Sequence, residues 1–124
     1  MAPEPDCLFC GIVAGSVPSE IIADNAHAIA IRDINPVARV HLLVIPRQHV
    51  RSLHDLALDG DGDAEVLAGS LALAQSVADR EGVADGYGVA TNVGAEGGQS
   101  VFHLHFHVVG GSLVEHLGRA DSAL

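Results

Sequence analysis

Gly97-Gly98-Gln99-Ser100-Val101-Phe102-His103-Leu104-His105-Phe106-His107-Val108-Val109 carries a histidine at every second position from 103 to 107. A β-strand sends every second side chain to the same face, so the spacing predicts a strand over 103–109 with His103, His105 and His107 in one row. Leu104, Phe106 and Val108 then anchor the opposite face on a core. Solvent-facing strand positions tolerate many polar residues, and three identical choices point to chemistry rather than solvation. A single metal ion is a poor match for the whole row. At ~3.3 Å per residue its outer α-carbons lie ~13 Å apart, whereas zinc needs its nitrogens at ~2.0–2.1 Å. Either an adjacent pair, or one histidine with remote ligands, binds metal, or the three have separate jobs as nucleophile, hydrogen-bond donor or proton shuttle. The two glycines upstream let backbone N–H groups approach an anion, and Gln99 and Ser100 add donors, which makes the lead-in a candidate phosphate cradle.

Outward from this row the chain reads as one α+β domain spanning residues 1–124. Ile21-Ile22-Ala23 and Ala28-Ile29-Ala30-Ile31 flank the turn pair Asp24-Asn25 and predict a hairpin. His41-Leu42-Leu43-Val44-Ile45 is a third strand, ended by Pro46. Leu8 to Ala14 predicts a short helix closed by Gly15. After the acidic break Asp59-Gly60-Asp61-Gly62-Asp63, residues 63–80 carry a helical stripe of Leu67, Leu71, Ala74 and Ala78, widened by Val66, Leu73 and Val77. Gly82 follows as a stop signal. Tyr87 to Thr91 supplies a further strand before the histidine row.

Composition excludes several functions. The 124 residues hold 16 acidic and 6 basic side chains, a net charge of -10, and 48% hydrophobic residues, as expected of a folded globule. Every basic residue is Arg, at positions 32, 39, 47, 51, 80 and 119, and these are too scattered to track a phosphate backbone or an anionic membrane. The absence of Lys removes Schiff-base and Walker-A chemistry. No apolar run approaches the ~20 residues that cross a bilayer, and the start Met-Ala-Pro-Glu-Pro-Asp lacks signal-peptide character. The expectation is a cytoplasmic protein with reduced thiols.

The segment from Gly97 to Gly111 resembles the signature of the histidine triad (HIT) superfamily, specifically its Hint branch of purine nucleoside phosphoramidases. Cys7 to Gly15, Asp33-Ile34-Asn35-Pro36 and His41 to Val50 resemble the family's other blocks in order, so the resemblance covers residues 7–111. It implies a five-stranded antiparallel sheet with one long and one or more short helices, and a homodimer whose two sheets run on as one. It further implies hydrolysis of adenosine or other purine nucleoside phosphoramidates, or of aminoacyl adenylates, with release of AMP. Carried over by position, His105 is the nucleophile, His107 holds a phosphate oxygen, and His103 supports the site. His49 is a further histidine near the phosphate, and Ser100 lies beside the leaving group. Asp33 takes the ribose hydroxyls, while Leu8, Phe9, Ile12, Ile31 and Ile34 surround the base. Asn92, Gly98 and Gln99 complete the phosphate contacts. His27, His41, His54 and His116 are expected to be structural.

Cys7 and Cys10 have a C-x-x-C spacing that is compatible with redox chemistry, with metal binding or with neither. No strand precedes the pair to build a thioredoxin-like site. The resemblance implies a structural zinc on Cys7, Cys10, His49 and His103, and no organic cofactor. The tail from residue 112 to 124 departs from the family by lacking a Trp-Pro finish, which leaves the leaving group open. Ile31 stands where an aromatic often lines the base pocket. The rival functions are dinucleoside polyphosphate hydrolysis, which the Gly-Gly-Gln-Ser lead-in disfavours, and non-catalytic AMP binding by a regulatory or scaffold protein.

Overall fold

The computed structural model describes residues 6–60 and 62–112; the divergent tail from 113 onward and His116 lie outside them. Five strands form one antiparallel sheet: β1 (Ile21–Asp24), β2 (Ala28–Arg32), β3 (Val40–Pro46), β4 (Tyr87–Ala90) and β5 (Phe106–Gly110). Their spatial order is β1-β2-β3-β5-β4. The turn between β1 and β2 is fixed by Asn25, whose Oδ1 accepts from the amides of His27 and Ala28, both at 2.9 Å.

The two helices cover opposite faces. Helix α2 (Ala64–Arg80) lays Leu73, Ala74, Val77 and Ala78 on Ala28, Ala30, Leu42, Val44, Phe106 and Val108. On the other face, α1 (Leu8–Ala14) seats Phe9 and Ile12 on Ile29, Ile31, Leu43 and Ile45. Because β2 and β3 are buried on both sides, their sequences read as continuous apolar runs instead of alternating ones. Gly15 ends α1 at φ 82°, where its amide reaches the carbonyls of Gly11 and Ile12.

Two sequence expectations need correction. Of the predicted α2 stripe, Val66, Leu73, Ala74, Val77 and Ala78 are buried and Leu67 packs against the core, whereas Leu71 is exposed and Ser70 is buried instead. The strand predicted to start at His103 starts at Phe106. Ahead of it the chain is irregular, although Leu104 stays buried and its amide donates to the Val50 carbonyl at 2.7 Å. Leu104, Phe106 and Val108 still share the α2 core, so the alternation survives beyond the ladder that was expected to produce it.

Candidate active site

The face of the sheet that carries α1 also carries histidines, because β3 and β5 pair His41 with Val109 and Leu43 with His107. His41 and His107 are both buried, and Nε2 of His41 lies 3.3 Å from Nδ1 of His107 and 3.5 Å from Oδ2 of Asp33. The backbone amide of Val37 donates to Nδ1 of His41 at 3.1 Å. That contact makes Nδ1 the acceptor and places the His41 proton on Nε2. The proton faces Nδ1 of His107, which becomes an acceptor, so His107 carries its own proton on Nε2. This Nε2 is buried and finds no partner among the described residues.

His105 is fixed in the complementary form. Its Nδ1 donates to the His103 carbonyl at 2.7 Å, which leaves the Nε2 lone pair outward. The rings of His105 and His107 pack edge to face with centroids 5.1 Å apart, and Phe9 lies edge-on to His105 at the same separation. The Thr91 hydroxyl, just past the end of β4, donates to the His105 carbonyl at 2.8 Å, a tie that substitutes for the missing ladder. Burial lowers the pKa of all three site histidines. That of His107 falls to about 3, with His105 and His41 nearby adding to the effect. His105 is lowered by burial against opposing pulls from the His103 carbonyl and Asp33. His41 is lowered by burial against the pull of Asp33. The arrangement thus places a neutral imidazole lone pair beside an unpaired buried N–H, which is the donor and acceptor pair needed to attack an anionic centre and hold one of its oxygens.

His103 does not share this group. Its Nε2 donates to the Pro46 carbonyl at 2.8 Å, leaving the Nδ1 lone pair 3.2 Å from Cys7 Sγ, 3.5 Å from Cys10 Sγ and 3.2 Å from His49 Nδ1. Cys10 Sγ is in turn 3.2 Å from His49 Nδ1, and all four donor atoms lie within 4.8 Å of one another. The edges of a tetrahedron with two sulfurs and two nitrogens at metal-bond lengths are about 3.3–3.8 Å, so these spacings match a closed four-ligand shell. The Pro46 carbonyl supplies the outer hydrogen bond that orients a ligating imidazole. Cys7 also caps α1, its sulfur accepting from the Cys10 amide at 3.2 Å. Burial drops the pKa of His103 to about 4.

Among the predicted base-pocket residues, Phe9, Ile12 and Ile31 belong to the core under α1, whereas Leu8 and Ile34 are exposed, the latter by 90%. Asp33 points at His41 and accepts from the Asn35 amide at 2.7 Å through its other oxygen. The Gln99 amide is fully engaged with backbone: Oε1 accepts from Gly94, and Nε2 donates to the carbonyls of Arg51 and Val101. Asn92 donates to the Gly97 carbonyl. Gly98 sits at φ 96°, a conformation that favours glycine. His49 falls in the thiol cluster. The residue the sequence reading missed is His41, which lies behind His107 rather than in a purely structural position. The sequence puts His41 on the same strand face as Leu43, and only the register of β3 against β5, which pairs Leu43 with His107, brings the two histidines together.

A protein-family comparison matches the HIT domain over residues 14–113. This chain belongs to the HIT family. It is 42% identical over 107 residues to an uncharacterized HIT-like protein of Chlamydia trachomatis, a match covering 86% of this chain and 94% of the relative. A HIT family hydrolase from Legionella pneumophila superposes with a TM-score of 0.83 at 38% identity, over 91% of this chain and 99% of that one. A histidine triad nucleotide-binding protein from Candida albicans gives a TM-score of 0.74 at 29% identity, over 83% and 73% of the two chains.

Proposed function

We propose that this protein is a Hint-like hydrolase that cleaves the P–N bond of purine nucleoside 5′-phosphoramidates, or the mixed anhydride of aminoacyl adenylates, through a nucleotidyl-His105 intermediate. The observation that carries the proposal is the unpaired Nε2–H of His107 beside the Nε2 lone pair of His105. A buried donor without a partner costs about 1–3 kcal/mol, and a phosphoryl oxygen would satisfy it.

In the first step His105 Nε2 attacks the α-phosphorus, the N–P bond forms and the P–N bond to the leaving amine breaks. The amine departs with a proton taken from solvent beside the Ser100 hydroxyl. Because Nδ1 keeps its proton, the adduct is an imidazolium, and the His103 carbonyl stabilises its charge through the 2.7 Å contact. In the second step water attacks phosphorus, the N–P bond breaks, a proton returns to solvent, and AMP leaves with His105 neutral again. His107, held by His41 and Asp33, keeps one donor on the phosphoryl group throughout, which is the electrostatic positioning that phosphoryl transfer requires. Gly98 brings backbone amides to the phosphate, Asn92 borders it, and Gln99 shapes the loop. Asp33 takes the ribose side and the exposed Leu8 and Ile34 the base. Cys7, Cys10, His49 and His103 would hold a structural zinc, which pins the N-terminus and the His103 carbonyl to the end of β3.

His105→Ala is expected to lose adenosine phosphoramidate hydrolysis by at least ~10³-fold while still binding AMP; undiminished turnover would refute the covalent route. Protein purified without chelator is expected to carry one zinc per chain, and Cys10→Ser to lose it. Stoichiometric zinc in that variant would overturn the ligand set.

A further inference from the structure

Cys7 and Cys10 are the chain's two cysteines, so any disulfide within one molecule joins them. Their placement permits it. Cys7 caps α1 and Cys10 follows three residues on, a spacing that sets α-carbons about 5 Å apart at a helix start, inside the ~4.4–6.8 Å that a disulfide spans. The two sulfurs lie within 4.8 Å of each other. They differ in access, since Cys7 is half-buried and lines a cleft of about 750 Å³ beside His49, whereas Cys10 is buried. A reachable cysteine next to a second one that can resolve it is the arrangement of a redox sensor. The cleft walls also carry Asp6 and Asp55 against Arg51. This acidic balance repels anionic oxidants and leaves a small uncharged hydroperoxide free to reach the Cys7 sulfur.

The reaction consumes one hydrogen peroxide. The Cys7 sulfur attacks a peroxide oxygen, the O–O bond breaks, and a water leaves as Cys7 becomes a sulfenic acid. The Cys10 sulfur then attacks Cys7, the S–S bond forms, the S–O bond breaks, and a second water leaves with the Cys10 proton. Two electrons pass from the sulfurs to the peroxide. When the pair holds an ion as thiolates, solvent supplies the two protons. Closure brings the sulfurs to ~2.05 Å and leaves neither with a proton to donate or a charge to hold an ion. Nδ1 of His103, at 3.2 Å from Cys7 Sγ and 3.5 Å from Cys10 Sγ, then loses both partners. Residues 103–105 precede β5 and have no ladder to hold them, and the His103 carbonyl is the acceptor that fixes Nδ1 of His105. A change at the sulfurs therefore reaches the nucleophile through one residue.

We infer that Cys7 and Cys10 are a reversible peroxide-sensitive pair, whose closure to a disulfide withdraws two ligands from the four-residue cluster and loosens His103, and with it the nucleophile His105. The inference rests on the zinc and phosphoramidase readings above, and each has a separate readout. Protein purified without chelator is treated with a small excess of hydrogen peroxide and followed by intact mass, by zinc release to a colorimetric chelator and by hydrolysis of adenosine 5′-phosphoramidate. The expected results are a chain lighter by two hydrogens, one zinc released per chain, and a kcat lowered about tenfold with KM little changed, as for loss of one oriented hydrogen bond. Dithiothreitol followed by zinc is expected to restore all three. A chain that keeps both free thiols, a disulfide form that keeps its zinc, or a disulfide form with undiminished kcat overturns the switch. Untreated protein without zinc overturns the ligand set instead, and untreated protein without hydrolysis overturns the phosphoramidase reading; in either case the mass and the remaining readout still decide the switch.

Discussion

His41 occupies a position where one side chain sets the protonation state of another. The Val37 amide decides which of its nitrogens bears hydrogen, and that choice passes to His107 across 3.3 Å. His41→Phe keeps the aromatic volume but removes the donor, freeing His107 to place its proton on Nδ1 and present a lone pair to the phosphoryl oxygen. Hydrolysis is expected to drop about 10²-fold, in the range for loss of an oriented donor, with AMP affinity and thermal stability changing little by comparison. Steady-state kinetics beside a melting curve would check it, and unchanged kcat would rule out the relay. The sequence revealed the alternation of His103, His105 and His107 but not their roles, because a tautomer depends on backbone groups such as Val37 and Pro46 that only tertiary structure brings near.

Elements were legible where local patterns dominate. Helix α1, the β1–β2 turn, β3 and the end of α2 were all readable from apolar periodicity and Gly, Pro or Asn punctuation. The start of β5 was not, because alternation over 103–105 reports burial of alternate side chains, while strand pairing depends on the neighbouring chain, and Thr91 and Val50 contact this segment in place of a ladder. On α2 only Leu71 was misplaced, because small residues such as Ser70 mark its close approach better than that leucine does. Gly69 lies under the His27 side chain, where an added Cβ would meet ring atoms at 2.5 and 2.6 Å and the His27 Cβ at 2.7 Å. Its carbonyl also accepts from Asn25 at 2.8 Å. In an exposed helix interior, Gly→Ala stabilises by roughly 0.5–1 kcal/mol. Here Gly69→Ala is expected to destabilise by about 1–2 kcal/mol, since the overpacking cost exceeds the propensity gain. Urea unfolding gives the sign, and a stabilised variant would contradict the packing described.

At the scale of the whole molecule, burying histidines makes the fold sensitive to acid before its carboxylates titrate. His107 has a pKa of about 3 in the folded chain, and His41 is also lowered, against about 6.5 when unfolded. Below pH 6.5 the unfolded chain binds protons that the folded chain refuses, so stability falls as pH drops through the window from 6.5 toward 3. Each fully withheld proton contributes a slope of about 1.4 kcal/mol per pH unit. Urea midpoints between pH 7 and 5 are expected to decline, and His107→Gln to flatten that decline; a pH-independent midpoint would show that these groups titrate normally. The two clusters are also not independent, since His103 belongs to one through its ring and to the other through its carbonyl. Replacements in the thiol cluster and at His105 therefore perturb a shared residue, and their energies will not sum. A double-mutant cycle between them measures a coupling, and a kinetic defect in a cluster variant is no proof that the altered residue touches substrate.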